Sequence, residues 1–197
     1  MALVADSNFT NNLVSVSAFS PFPTGGGNKV LQMDTSGVLL SNDVDLANVG
    51  DVDITMQCLV LSTPSLGSNG SFGFILNRDA AGKFYYLLAS PQSGSSSMFF
   101  YIYRYSGGVG GSFTLIAHPT NLTGIASNTI FDLTARVRSS TRGPNLALLF
   151  NGEVRVSTID TNASQINSGQ VGIAANIIGG DGTNFTRYVD NWFARTV

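Results

Sequence analysis

Cysteine, histidine and glutamate each occur once in 197 residues, as Cys58, His118 and Glu153, and these scarcities exclude much common catalytic chemistry. One cysteine builds no intrachain disulfide framework. Cys58 sits in an apolar alternation and reads as a small buried hydrophobe, not a nucleophile. A lone histidine, placed before Pro119 in a loop-like stretch, leaves a Ser-His-Asp set or a metallohydrolase cluster without support; His118 reads as an exposed loop residue. Glycoside hydrolysis needs two carboxyl groups flanking the scissile bond. Glu153, beside Asn151-Gly152, has no glutamate companion. Asp43 with Asp45 and Asp51 with Asp53 have the spacing of one strand face, yet they flank the loop-like residues 46–50 and read as solvated.

Charge is equally sparse. Only 11% of residues are charged and the net charge is −2. There is no electrostatic footprint for nucleic acid and no polybasic segment for an anionic membrane. No apolar run is long enough to span a bilayer. The amino terminus, Met1 to Asp6, lacks the basic region, apolar stretch and cleavage site of a secretory signal, so the expectation is a soluble protein made in the cytoplasm. Asn-x-Ser/Thr triplets begin at Asn8, Asn69, Asn121, Asn162 and Asn184; without a secretory signal they read as polar turn chemistry rather than glycosylation sites.

What is present is short-range alternation. No stretch keeps a helical period, whereas period-two runs separated by Gly, Asn, Ser and Pro clusters recur throughout, which predicts an all-β chain. Ile54, Met56, Cys58 and Val60 alternate with Asp53, Thr55 and Gln57. Phe131, Leu133, Ala135 and Val137 alternate with Asp132, Thr134, Arg136 and Arg138, the pattern of a strand with one buried face. Residues 72–77 and 84–89 read as a hairpin across 78–83. Asn151-Gly152, between apolar runs, predicts a type I′ turn. The loop-like stretches 21–28, 64–71, 92–97, 106–112 and 178–184 separate no segments large enough for independent cores, so residues 1–197 are expected to form one sandwich domain. Its core is expected to include Ile54, Met56, Phe131, Leu133, Leu148, Val171 and Ile173.

Motifs follow one another in a particular order. They run from Val4 to Phe9, then Gly73-Phe74-Ile75-Leu76-Asn77-Arg78 with Phe84-Tyr85-Tyr86, then Phe131 to Val137 and Phe150-Asn151-Gly152-Glu153. The series closes with Gly169-Gln170-Val171-Gly172-Ile173 and Tyr188-Val189-Asp190-Asn191-Trp192-Phe193. This series resembles the concanavalin A-like lectin, laminin-G and glucanase superfamily, which implies a two-sheet antiparallel jelly-roll sandwich. That superfamily hosts glycan-binding modules, hydrolases and virion proteins, so architecture alone does not choose a function. In general character the chain is also similar to members among tailed-bacteriophage structural proteins. The resemblance further implies paired terminal strands, which would bring Asp190 to Asp6. With Asp181 in the glycine-rich loop 179–184, these residues are candidate ligands of a structural calcium. The alternative is that Asp190 accepts backbone or arginine hydrogen bonds and Asp181 forms a turn.

The aromatic stretch from Met98 to Tyr105 supplies the candidate binding surface. Alternation puts Phe99, Tyr101, Tyr103 and Tyr105 on one face, and Met98, Phe100, Ile102 and Arg104 on the other. Tyr101, Tyr103 and Tyr105 would suit sugar stacking or a protein interface, because tyrosine buries area while keeping a polar tip; packing within the sandwich is the competing role. The leading expectation is a non-enzymatic virion structural or attachment protein, in the manner of a capsid decoration, tail or fibre component. It would contact other virion proteins or copies of itself. The alternative is a carbohydrate-binding, lectin-like module with a glycan partner, and the third reading is a glycoside hydrolase.

Overall fold

The structure is a computed structural model that describes residues 3–5, 14–16, 30–32, 36–41, 43–62, 71–91, 97–125, 130–178 and 185–197. The described residues form β1 (Leu3–Ala5), β2 (Val14–Val16), β3 (Val30–Gln32), β4 (Gly37–Ser41), β5 (Val52–Ser62), β6 (Phe72–Arg78) and β7 (Phe84–Pro91). They continue as β8 (Met98–Tyr105), β9 (Phe113–Leu122), β10 (Ile130–Arg138), β11 (Asn145–Phe150), β12 (Glu153–Ile159), β13 (Gln170–Ala175) and β14 (Phe185–Thr196). The one helical element among them is a 3-10 turn, Val44–Leu46. Two seven-stranded antiparallel sheets result. The first runs β1-β4-β13-β6-β7-β8-β9 and the second β12-β11-β10-β5-β14-β3-β2. This is the all-β jelly-roll sandwich that the order of motifs implied.

Alternation explains the inner face of the second sheet. In β10 the buried Phe131, Leu133, Ala135 and Val137 alternate with more exposed polar neighbours. Register then aligns Leu133 with Met56 and Ala135 with Ile54 on β5, while Ala135 also faces Leu148 on β11. All seven expected core residues are buried, each large aliphatic side chain contributing roughly 1.5–3 kcal/mol. On the outer face the polar set pairs with itself: Thr55 and Thr134 hydroxyls lie 2.9 Å apart, and Arg136 meets Asp53 through two nitrogens.

The first sheet departs from simple alternation. Every position of β7 is buried. Tyr85, Leu87 and Ala89 join the core between the sheets, while Phe84, Tyr86 and Leu88 join a second apolar cluster with Val38, Leu40, Ile75, Tyr105 and Ala174 on the opposite face. Ile177 and Ile178, just past β13, pack against that second cluster. A strand buried on both faces has no polar face to show, which accounts for the nearly continuous apolar run from Phe84 to Ala89.

Turn chemistry closes the hairpins as expected. Asn151 (φ 49°) and Gly152 (φ 82°) both adopt the left-handed backbone that a type I′ turn requires. Asp79 ties the β6–β7 connection, its carboxylate accepting the Lys83 N–H at 2.9 Å. Asn162, which begins one of the Asn-x-Ser/Thr triplets, accepts the Ser164 N–H at 2.9 Å, so there the triplet is turn chemistry. The loop stretches 21–28, 64–70, 92–96 and 179–184 lie outside the described residues.

Candidate functional site

β8 carries the expected two-faced pattern. Met98, Phe100 and Ile102 enter the core between the sheets, while Tyr101, Tyr103 and Tyr105 belong to the opposite face. On that opposite face Phe99, Tyr101 and Tyr103 are half-buried. Their rings follow one another at 6.2 and 5.9 Å, with 30° between the planes of each adjacent pair. Phe113 of β9 stands edge-on to Tyr103 at 6.3 Å and 89°, bracing the end of the row. The result is a shallow aromatic strip along one strand.

Strand β9 completes the strip with residues that sequence reading did not assign to a binding surface. Leu115, 41% exposed, lies opposite Tyr103, and the exposed Asn121 lies opposite Phe99. Two register shifts, between Phe100 and Ile102 and between Ile102 and Tyr103, separate these pairs. Each bulge breaks the period-two count on which face assignment depends, so no sequence signal places Leu115 and Asn121 beside the aromatic row. Neither the Tyr101 nor the Tyr103 hydroxyl has a hydrogen-bond partner among the described residues. Partial burial holds both phenols above the ordinary tyrosine range, with the neighbouring Tyr101 adding to the effect at Tyr103. Both hydroxyls therefore keep their protons and can donate as well as accept. The paired stretch of β8 and β9 contains no carboxylate, so the strip can stack and hydrogen-bond but has no acid–base pair of its own.

Tyr105 corrects one expectation: it is no part of an exposed surface. Its side chain is 3% exposed and packs between Phe84 at 4.8 Å and Phe113 at 4.7 Å. Its hydroxyl donates to the Gly108 carbonyl at 2.6 Å and accepts the Gly111 N–H at 3.0 Å. The cause is the β8–β9 connection, which folds back over the ring. At Gly111 a Cβ would lie 2.8 Å from Tyr105 Cζ and 2.9 Å from its hydroxyl, so only glycine allows the approach.

The candidate calcium ligands do not come together through paired terminal strands. β1 pairs with β4 in the first sheet, whereas β14 pairs with β5 and β3 in the second. Both edges of β14 are already occupied, so the expected pairing of the two ends is corrected. Asp6 and Asp181 lie outside the described residues; Asp190 faces Gln57 in the β14–β5 register, and its side chain also lies outside them. Among the described residues no three His, Cys, Asp or Glu side chains converge as a metal site would require.

Among the remaining chemistry-bearing residues, the side chains of Asp43, Asp51, Asp53 and Glu153 have structural partners. Asp43 accepts the Asp45 N–H at 3.0 Å, Asp51 accepts both the N–H and the hydroxyl of Ser139 at 2.6 Å, and Asp53 pairs with Arg136 and Arg138. Ser139 thereby holds the Asp51 carboxyl below the usual carboxylate range. Glu153 pairs with Arg155. Cys58 is buried, and burial pushes its thiol well above the ordinary range. His118 is exposed as expected, although it stands on β9 rather than in a loop.

No family model and no curated protein matches the sequence. Solved structures do resemble the fold. Carbohydrate-binding module CBM66 from Bacillus subtilis superposes with a TM-score of 0.60 at 13% identity, over 94% of this chain and 92% of that one. The metal-free carbohydrate recognition domain of Emp46p gives 0.58 at 11% identity, over 93% and 86%. Alginate lyase Aly36B gives 0.54 at 15% identity, over 100% and 93%. At such identities the likeness shows a shared lectin-like jelly roll and carries no residue roles across. None of these three is a virion protein.

Proposed function

We propose that this chain is a carbohydrate-binding module that acts without catalysis, its ligand lying along Phe99, Tyr101 and Tyr103. One observation carries the reading: three half-exposed rings, 5.9 to 6.2 Å apart on one strand, with two tyrosine hydroxyls free of partners among the described residues. Aromatic faces stack on the C–H faces of sugar rings while phenol tips reach sugar hydroxyls. The likeness to CBM66 and to the Emp46p carbohydrate recognition domain supports this reading over the virion role that the sequence first suggested.

The test is calorimetric titration with a panel of soluble neutral oligosaccharides. Exchanging both Tyr101 and Tyr103 for Ser is expected to weaken binding roughly tenfold or more. Because both residues are already half-exposed, the fold should survive the exchange. No binding across the panel, or binding that the double variant leaves unchanged, would remove the strip from consideration. Sugar release dependent on any aspartate would restore the hydrolase reading.

A further inference from the structure

β9 and β12 are edge strands of the two sheets, and they meet where the Thr120 hydroxyl donates to the Arg155 carbonyl at 2.5 Å. At the Leu122 end of this seam lies a cleft of about 310 Å³, lined by Thr123, Gly124, Ile125, Phe150, Asn151 and Arg155 among others. Its aromatic wall is rigid: Phe150 stacks on the buried Phe131 at 4.8 Å and 29°. The Arg155 guanidinium lies over the Phe150 ring, Cζ 6.0 Å from the centroid. Asn151 uses its Oδ1 to accept the Asp132 N–H at 2.9 Å, which leaves its Nδ2 donors for another acceptor.

Arg155 is only half engaged. One terminal nitrogen, Nη2, meets Glu153, a side chain 71% exposed. The adjacent Nε–H is buried and has no acceptor. A buried donor without an acceptor is costly, and an exposed ion pair contributes little. With Glu153 swung aside to open the Nε–Nη2 edge, a carboxylate set against it would make two parallel charge-assisted hydrogen bonds where Glu153 makes one. Glu153, already mostly in solvent, would give way.

We propose that this cleft is a second ligand site, specific for a carboxylate-bearing sugar unit of the uronic acid class. The guanidinium supplies the charge recognition. The Thr123 hydroxyl, the Asn151 amide and the Phe150 and Ile125 side chains supply the mix of polar and apolar contacts that a single sugar ring presents. The site is separate from the aromatic strip, which lies on the far face of the first sheet, and it stands or falls independently of that reading.

The test is a titration of isotope-labelled protein with sodium glucuronate, followed by NMR, with glucose and sodium acetate as comparators. Glucuronate should shift the amides of Thr123, Gly124 and Asn151 and the Arg155 Nε–H. Arg155→Gln should weaken binding roughly tenfold or more, Glu153→Gln should tighten it by removing the competing carboxylate, and the Tyr101/Tyr103 double variant should leave it unchanged. Equal shifts with glucose, equal affinity for acetate, or no shift at these residues would overturn the proposal. Should Arg155→Gln lose its native spectrum, Glu153→Gln decides alone: unchanged or weaker binding refutes the site.

Discussion

Nη1 of Arg104 lies 2.8 and 2.7 Å from the two carboxylate oxygens of Asp160, joining the first sheet to the end of the last strand before β13. The pair is nearly dry, with side chains 14% and 4% exposed. Its remaining lone pairs are used: Tyr85 donates to Oδ2 at 2.8 Å, the Asn162 N–H donates to Oδ1 at 3.1 Å, and the Tyr85 hydroxyl in turn accepts the Ile166 N–H at 2.9 Å. One carboxylate thus fixes β7, β8 and the 160–166 loop to one another.

Removing one member of such a network leaves a buried charge without its counterpart. Asp160→Ala is expected to cost about 3–5 kcal/mol in urea unfolding. Replacing the pair together, Arg104→Met with Asp160→Leu, should recover a large part of that loss, because desolvation of both charges disappears along with their attraction. A double variant no more stable than Asp160→Ala would show that the pair's own attraction outweighs its desolvation.

Tyr105 and Tyr103 sit two residues apart on one face but have different roles. Tyr105→Phe keeps the ring and loses the hydrogen bonds to Gly108 and Gly111, at an expected cost of about 1–2 kcal/mol. Glycan affinity should be untouched. Tyr103→Phe, whose hydroxyl has no partner within the described structure, should do the reverse: stability held, affinity reduced. Thermal unfolding and calorimetry on the two variants separate these outcomes.

The contrast between these two tyrosines marks how far the sequence could be read. Alternation assigned the β8 faces correctly, and it placed Ile54, Met56 and Leu133 in the core, because β5 and β10 keep period two; Leu148 is also core, but on β11, where every residue from Leu146 to Phe150 is buried. Alternation could not distinguish Tyr105 from Tyr103, since burial of Tyr105 depends on a connection seven residues long folding back through Gly111. Nor could it place Leu115 and Asn121, which two bulges carry out of phase. Asp160 was invisible for another reason: it lies just beyond a strand end, and its partner Arg104 is 56 residues away, joined to it only by the stacking of the two sheets. The cleft at Arg155 is likewise a product of two edge strands meeting, a relationship no local pattern encodes.

Three tyrosines set the expected response to alkaline conditions. Burial raises the phenols of Tyr85, Tyr101 and Tyr103 above 10, and at Tyr85 this outweighs the Ile166 N–H and the smaller effect of the Arg104 charge, both of which favour the phenolate. The folded state therefore holds these protons more tightly than the unfolded chain does. Their contribution to stability is complete below the unfolded value of about 10 and is lost as pH rises above it. At the acid end the direction reverses for Asp51, whose lowered value makes its contribution present above about 3.8 and lost as pH falls further. Melting temperature followed from pH 8 upward is thus expected to fall beyond about 10. Exchanging Tyr101 and Tyr103 together for Phe, which retains both rings, should make that fall shallower. Ultraviolet titration supplies the decisive check: native protein should ionise these phenols at higher pH than urea-unfolded protein. Coincident curves would mean that the phenols of the strip are fully solvated, which would also remove the partial burial on which stacking at Tyr101 and Tyr103 depends.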